Sequence, residues 1–343
     1  MKVAVMTYIK KIQFIEADKP KPKDDEVLVK LEYVGVCGSD LHYYEHGAIG
    51  DYIVKPPFVL GHECSGTIVE IGSKVKHLKV GDRVALEPGK TCGECEFCKT
   101  GRYNLCPDVI FFATPPINGV FQEYVTHPES LSFKLPEKLS SMEGALIEPL
   151  AVGMHAARQG DAKIGDIAFV TGAGCIGLCS MLSLKASGVS KVYVIDVVKK
   201  RLDKALELGA SGVIDASKED AVKRALELTQ GKGSDITIET AGTEITTNQA
   251  IEFAKKGSVI VLVGYSKTGK VNMNLSMALD KELTFKTVFR YRHLFPLLID
   301  AVENGSINIK DIVTNIYDFK DLQEALDNSV NDKANIVKTV IKM

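Results

Sequence analysis

The chain has 343 residues, of which 45% are hydrophobic and 25% are charged. This length predicts two domains of a globular protein that can bury its core without disulfides. The 42 Lys and Arg residues against 44 Asp and Glu residues give a formal net charge of −2, which argues against nucleic acid or an anionic membrane as the main partner, because both favour a basic surface.

The sequence also disfavours export and membrane insertion. The stretch before Lys10 is too short and too polar for the apolar part of a signal peptide. The longest uncharged run, residues 167–184, contains three glycines, so a strand, a turn and a buried helix explain it better than a membrane span. We therefore expect a cytoplasmic protein with no membrane partner, whose eight cysteines stay reduced and bind metal where they cluster.

The first 140 residues contain short β-type runs separated by Gly, Pro and Asp turns. They predict a small, irregular β domain with strands at residues 27–33, 67–71, 83–86 and 121–126. Ser140 and Glu143 have the spacing of a capping box, which predicts that a helix begins here. Pro149 lies inside that helix and is expected to kink it after Glu148, since proline removes a backbone donor.

From residue 167 onward, strand patterns and helix patterns alternate. This rhythm predicts a parallel sheet with helices on both faces. The predicted strands are residues 167–171, 191–195, 212–214, 236–239, 258–263 and 283–289, and the predicted helices are residues 176–187, 199–208, 218–229, 246–254, 292–304 and 321–329.

Gly172, Gly174 and Gly177 form a G-x-G-x-x-G motif between the first strand and the first helix of this alternating region. In this context the motif predicts a dinucleotide site rather than an ordinary glycine turn: the glycines permit the tight turn, the approach of the pyrophosphate and the packing of the helix on the strand. The helix N-terminus would stabilise the phosphate charge.

Asp196 ends the next strand, 19 residues after Gly177. Its carboxylate is expected to accept hydrogen bonds from the adenosine ribose and to repel a 2′-phosphate, which favours NAD over NADP. The nearby cations weaken this preference; they are Lys199, Lys200 and Arg201.

Four cysteines within fifteen residues, Cys92, Cys95, Cys98 and Cys106, supply enough thiolates for a closed tetrahedral zinc site. The alternative is an iron–sulfur cluster. The seven residues before Cys106 and the lack of a second cysteine set count against that alternative.

A second metal constellation is suggested by Cys37, His62 and Glu63. A thiolate, an imidazole and a carboxylate would make an open zinc site with a fourth position for water. Spacing alone leaves two other interpretations open, because a lone cysteine is commonly a small buried hydrophobe and an adjacent His and Glu can be surface residues.

The order of these motifs resembles that of the zinc-dependent medium-chain dehydrogenases, and the resemblance extends over essentially the whole chain. Within this superfamily the chain is similar to the sorbitol (L-iditol 2-) dehydrogenase and xylitol dehydrogenase group. The stretches that carry this similarity are CGSDLHYYEHG (37–47), GHECSG (61–66), GRYNL (101–105), FFATPPING (111–119), ALIEPLAVGMHA (145–156) and VFRY (288–291).

The resemblance implies an α/β protein with a GroES-like β-rich catalytic domain, residues 1–150 and 281–343, and a Rossmann NAD-binding domain of doubly wound parallel sheet, residues 151–280. The active site would lie in the cleft between them. It also implies a homotetramer and two zinc ions per subunit, since this chain keeps the four-cysteine loop that animal sorbitol dehydrogenases lack.

The resemblance further assigns roles to single residues. Cys37, His62 and Glu63 would bind the catalytic zinc, and Glu148 would lie beside the zinc water or exchange onto the metal. The implied polyol pocket is lined by Tyr43, Phe111, Glu148, Arg290 and Tyr291. The implied NAD contacts, beyond the three motif glycines, are Ile176, Asp196, Arg201, Val263, Gly264, Tyr265, Val288, Phe289 and Arg290.

The implied reaction is the oxidation of a polyol to a 2-ketose with NAD. The proton could leave through Ser39 and His42 or through Glu148, and the sequence does not choose between these routes. The alternatives are a threonine, butanediol or sugar-phosphate dehydrogenase of the same superfamily, or a non-catalytic NAD-binding relative. The last is disfavoured because Cys37, His62 and Glu63 are all present.

Overall fold

In the computed structural model, which describes residues 1–266 and 269–343, the chain divides into two units. The first comprises Met1–Glu148, Phe295–Gly305 and Val313–Met343, and the second comprises Pro149–Leu294 and Ser306–Ile312. Among the described residues, every helix is too short or too polar to cross a membrane.

The N-terminal part of the first unit is mainly β structure. Its elements are β1 (Lys2–Tyr8), β2 (Lys11–Glu16), β3 (Glu26–Gly35), α1 (Gly38–His46), β4 (Ala48–Ile49), β5 (Tyr52–Ile53), β6 (Glu63–Ile71), β7 (Arg83–Leu86), β8 (Gly89–Lys90), α2 (Glu96–Lys99), β9 (Ile110–Phe111), β10 (Tyr124–Pro128), β11 (Ser132–Lys134) and α3 (Ser141–Gln159), which continues into the second unit.

The alternating region forms the second unit. Its elements are β12 (Ile167–Thr171), α4 (Cys175–Ala186), β13 (Lys191–Asp196), α5 (Lys199–Glu207), β14 (Gly212–Asp215), α6 (Ala221–Leu228), β15 (Ser234–Glu239), α7 (Glu244–Phe253), β16 (Ala254–Leu262), α8 (Leu275–Asp280) and β17 (Thr284–Thr287). The six strands are parallel, in the order β14-β13-β12-β15-β16-β17, which is the doubly wound order expected of a Rossmann sheet.

The remaining elements are α9 (Phe295–Glu303), β18 (Asn315–Asp318), α10 (Leu322–Asn331) and β19 (Thr339–Lys342). The last strand returns to the first unit, where the main sheet has the order β11-β7-β6-β3-β19-β18 and β10 also pairs with β3. In this sheet Gly35 lies opposite Glu63 on one side and Val340 on the other. Segments far apart in the sequence therefore meet at the end of β3.

The capping box predicted at Ser140 is confirmed. The Ser140 amide donates to the Glu143 carboxylate (2.9 Å), and the Glu143 amide donates to the Ser140 hydroxyl (3.2 Å). The helix predicted from residue 218 begins only at Ala221, because the Asp220 carboxylate accepts the amides of Val222 and Lys223 and fixes the start there.

One other prediction is wrong in detail, and one helix was missed. The strand predicted at 121–126 starts only at Tyr124, since the Phe121 carbonyl instead accepts the Ala4 amide (2.9 Å). Helix α1 was not predicted. Its first turn is stabilised by Asp40, whose carboxylate accepts the Cys37 amide (3.0 Å), and its sequence has little apolar periodicity to reveal it.

Candidate active site

Cys37, His62 and Glu63 come together at the end of β3. Cys37 precedes α1 two residues after β3 ends, and Glu63 begins β6 opposite Gly35. One donor atom from each of the three side chains lies within 4.8 Å of the others, with His62 and Glu63 buried and Cys37 half-buried. A shared ion at about 2.0–2.3 Å from each donor needs such a spacing. The donor set of sulfur, nitrogen and oxygen therefore fits zinc.

Asp40 supports this donor set, although no sequence motif selected it. Its Oδ1 lies 3.7 Å from Nδ1 of His62 and accepts the Gly61 amide (2.8 Å), while its Oδ2 accepts the Cys37 amide. Burial raises the pKa of Asp40, but its interactions with His62 and these two amides outweigh burial and lower it. A carboxylate behind a metal-binding histidine fixes the orientation of the ring.

The surroundings of His62 favour positive charge. Burial lowers the pKa of the ring, but Cys37 and Asp40 act in the opposite direction and raise the pKa well above its usual value. A place that stabilises a protonated imidazole in this way also attracts a metal cation.

Lys338 is a second residue that the sequence did not reveal. Its ammonium donates to a Glu63 carboxylate oxygen and to the carbonyl oxygen of Val36, the latter at 3.0 Å. Both charged side chains are only 1% exposed. The carboxylate of the donor set therefore has a buried partner from the C-terminal end of the chain.

Three residues proposed for the substrate pocket lie in the first unit and are buried: Tyr43 on α1, Phe111 at the end of β9 and Glu148 on α3. The Phe111 ring centroid is 5.8 Å from that of His62. Burial raises the pKa of Cys64, and the charges of Glu148 and Glu63 raise it further. Glu148 and Glu63 therefore both lie close enough to the Cys64 thiol to act on it.

The other expected residues are distributed as follows. Ser39 and His42 lie on α1 and are half-buried, and the His42 ring makes an edge contact with His46 at 4.8 Å. Arg290 and Tyr291 belong to the second unit, where Tyr291 is buried and the Arg290 guanidinium lies 4.7 Å from the centroid of the Phe289 ring.

The four cysteines of the loop form a separate cluster. The sulfur atoms of Cys92 and Cys106 are 3.6 Å apart, those of Cys95 and Cys98 are 3.5 Å apart, and those of Cys92 and Cys98 are 3.9 Å apart. Zinc–sulfur bonds of about 2.3 Å imply tetrahedron edges of about 3.8 Å. Backbone amides of Glu94 and Cys95 lower the pKa of Cys92 to about 7. The cluster therefore fits a structural zinc.

The residues expected to bind NAD follow the carboxyl ends of the parallel strands. The motif glycines and Ile176 follow β12, Asp196 ends β13, Val263 to Tyr265 follow β16, and Val288 to Arg290 follow β17. Arg201 lies in the first turn of α5. A Cβ atom on Gly177 would collide with the Gly172 carbonyl oxygen, so only glycine permits α4 to pack here.

Asp196 is held beside this turn. Its carboxylate accepts the amides of Ala173 (2.6 Å), Val197 (2.7 Å) and Val198 (2.8 Å). This is the position from which a carboxylate reaches an adenosine ribose in a Rossmann site. The geometry fits a dinucleotide.

Comparison with known proteins shows the family of the chain. The family profile of the alcohol dehydrogenase GroES-like domain matches residues 23–137, and that of the zinc-binding dehydrogenases matches residues 175–304. An uncharacterized zinc-type alcohol dehydrogenase-like protein of Escherichia coli K12 is 46% identical over 334 residues, which are 97% of this chain and 96% of that protein. The chain belongs to the zinc-type medium-chain dehydrogenases. The GroES-like and Rossmann folds expected from the sequence are confirmed.

Other members of the family are known for different substrates. The dehydrogenase is 39% identical to the sorbitol dehydrogenase of Bacillus subtilis over 341 residues, 99% of this chain and 97% of that protein. It also superposes on the crystal structure of 2R,3R-butanediol dehydrogenase from Bacillus subtilis with a TM-score of 0.91 at 34% identity, covering 100% of this chain and 99% of that one.

Proposed function

We propose that this dehydrogenase oxidises a polyol, such as sorbitol, L-iditol or xylitol, to the 2-ketose and transfers the hydride to NAD. The observation that carries the proposal is the buried carboxylate of Glu148, whose charge, like that of Glu63, raises the pKa of Cys64, the residue next to Glu63. A site built with buried polar groups favours substrates whose hydroxyls match them over analogues that lack those hydroxyls. The similarity to sorbitol dehydrogenase supports the same substrate class.

Zinc held by Cys37, His62 and Glu63 would act as a Lewis acid that lowers the pKa of an alcohol oxygen. The protein residues then have separate roles. Glu148 accepts the alcohol proton or, as the other route, Ser39 and His42 conduct it toward solvent. Tyr43, Arg290 and Tyr291 bind the further hydroxyls of the polyol. Phe111, which packs near His62, excludes water from this side.

The first test is initial-rate reduction of the dinucleotide with sorbitol, xylitol, L-threonine and 2,3-butanediol, each with NAD and with NADP. We expect turnover with sorbitol or xylitol and NAD. Turnover confined to threonine or butanediol would contradict the polyol assignment while leaving the zinc and Rossmann chemistry in place.

Oxidation of 2,3-butanediol is the second candidate. The similarity to the butanediol dehydrogenase structure favours it, as does the apolar Phe111 ring beside His62. Both substrates carry adjacent hydroxyls. The rate with xylitol therefore distinguishes a polyol dehydrogenase from a butanediol dehydrogenase, because only the polyol has further hydroxyls for the polar side chains of the pocket to bind.

The preference for NAD over NADP is proposed from Asp196. Its carboxylate accepts three backbone amides, which hold the negative charge where a 2′-phosphate would lie. We also propose two zinc ions per subunit, one in each cluster. Elemental analysis of the purified protein should find both.

We propose that the protein is cytoplasmic and assembles as a homotetramer. Leu275 and Leu279 on α8 are exposed, and β17 is an edge strand of the parallel sheet. Such surfaces are commonly covered by a second copy in assemblies. Light scattering should give about four times the chain mass of 37.3 kDa.

A further inference from the structure

Lys338 has no part in the catalytic scheme above, although its buried partner Glu63 is one of the proposed zinc ligands. Lys338 lies immediately before β19, which pairs with β3, and Glu63 begins β6 on the other side of β3. The Val36 amide donates to the Thr339 carbonyl oxygen (2.9 Å) and fixes this register. The sheet therefore places an ammonium from the end of the chain against a metal-binding carboxylate.

Gly35 leaves the space that the pair occupies. A Cβ atom at this position would collide with the Glu63 carboxylate and approach Lys338 Cε to 3.1 Å. At 1% exposure, neither charge can be satisfied by water, and an unpaired charge in such a place is strongly destabilising. Lys338 supplies a cation that contacts the Glu63 carboxylate.

We propose that Lys338 is a positioning residue: its ammonium is a resident counter-ion that holds the Glu63 carboxylate in place before zinc binds and competes with zinc for that carboxylate afterwards. The proposal rests on the zinc site assigned under the proposed function. It follows that removing Lys338 destabilises the metal-free protein more than the zinc-loaded protein, because zinc replaces the lost cation. By linkage, the variant must then bind zinc more tightly.

The test compares Lys338→Met with the native protein after metal depletion. Zinc affinity is measured by competition with a chelator of known affinity, and Cys37→Ser identifies the zinc that remains in the cysteine loop. We expect Lys338→Met to bind zinc at the Cys37 site about tenfold more tightly. We also expect its melting temperature to fall by about 10 °C without zinc and by about 6 °C with it, because a tenfold gain in affinity offsets only about 4 °C of the loss.

Lys281→Met is the matched control. The Lys281 ammonium donates to the carbonyls of Ile251 (2.9 Å), Glu252 (2.6 Å) and Ala254 (2.9 Å) at the end of α7, in the second unit. Its loss should lower the melting temperature equally with and without zinc and leave zinc affinity unchanged. The same behaviour in Lys338→Met would overturn the proposal, as would weaker zinc binding.

A double variant covers the case in which Lys338→Met does not fold without metal. Glu63→Gln leaves a buried ammonium without its carboxylate, so adding Lys338→Met should raise the melting temperature of Glu63→Gln. A further loss of stability would overturn the proposal. If the native protein binds no zinc that is lost in Cys37→Ser, the metal site itself is misassigned; if it does and Lys338→Met has native affinity, only the role of Lys338 fails.

Discussion

The two cysteine-containing clusters are built in opposite ways. The ligands of the loop come from fifteen consecutive residues and are held by amides of the loop itself, such as Cys95 N–H on the Cys92 sulfur (3.3 Å). The other set comes from two segments that meet only because β3 and β6 pair in one register, and its supporting residue Lys338 is 275 positions from Glu63. One cluster depends on local chain geometry and the other on the whole sheet.

This difference predicts that substitutions in the two clusters affect different properties of the protein. The cluster in the cysteine loop can be lost while the sheet and the other donor set remain. Its loss should therefore lower the stability of the protein more than its turnover. A site assembled by the sheet is buried together with its counter-charges, so each substitution there alters the electrostatics of the reaction centre. The predictions below test that contrast, from the largest expected effect on turnover and zinc binding to the smallest, and then turn to stability.

Cys37→Ser should lower kcat/KM by about 10³-fold or more, because the Lewis acid contributes several kcal/mol to the reaction and each 1.4 kcal/mol is tenfold. Cys98→Ser is the matched control, with one thiolate removed from the other cluster. Steady-state kinetics and zinc analysis of both variants provide the measurement.

Each variant should retain one zinc per subunit, but Cys98→Ser should keep near-native turnover at 25 °C and melt at a lower temperature. Equal losses of turnover in the two folded variants would remove the distinction between a structural and a catalytic site.

Glu148→Gln should lower kcat by about 10²-fold, since general-base catalysis contributes 10²–10⁴-fold and the amide cannot accept the proton. Glu143→Gln, one turn earlier on α3, is the control: it alters the capping box at the exposed start of the helix and should affect only stability. Native turnover in Glu148→Gln would exclude that residue and leave the route through Ser39 and His42.

The contrast between a local cluster and a cluster assembled by the sheet also explains which features could be predicted from the sequence. The cysteine loop and the glycine turn are local, so residue type and spacing identify them before any fold is known. The alternation of strands and helices likewise predicted the parallel sheet. Cys37, His62 and Glu63 were ambiguous by spacing, and only the family resemblance selected them.

Asp40 and Lys338 could not have been found in this way. Asp40 lies on α1, a helix without clear apolar periodicity, and its role depends on the turn at Gly61. Lys338 is one of many lysines near the C-terminus, and nothing in its local sequence distinguishes it. Its burial depends on β19 returning to β3, which is a long-range pairing that local patterns do not encode.

Asp40→Asn should weaken zinc binding at the Cys37 site by about tenfold, the lower end of the 10–100-fold cost of losing a supporting carboxylate. The amide retains the shape but removes the charge that favours a cation near His62. Chelator competition measures the affinity, with the zinc of the cysteine loop as an internal control. Unchanged affinity would show that the Asp40 carboxylate serves to accept the two backbone amides and does not support zinc binding through His62.

The last prediction concerns stability and not turnover or zinc binding, at Glu87, which joins the cysteine loop to the sheet. Tyr103 O–H donates to its carboxylate (2.7 Å). Burial raises the pKa of Glu87 to about 7, although the Tyr103 hydrogen bond acts in the opposite direction. Because the folded-state pKa is raised, protonated Glu87 contributes stability that is complete below about pH 4 and is lost as the pH rises through about 7.

Glu87→Gln cannot ionise and keeps an acceptor for Tyr103. The native protein loses stability between pH 4 and pH 8 and the variant does not. The free energy of unfolding of the variant, relative to that of the native protein, should therefore increase by up to about 3 kcal/mol over this range. Urea titrations across this range provide the measurement, and Glu94→Gln, an exposed position in the same loop, should follow the native curve. Parallel curves for Glu87→Gln and the native protein would mean that water or a nearby cation stabilises the Glu87 carboxylate. In that case the contact between Tyr103 and Glu87 would join the loop to the sheet with Glu87 ionised.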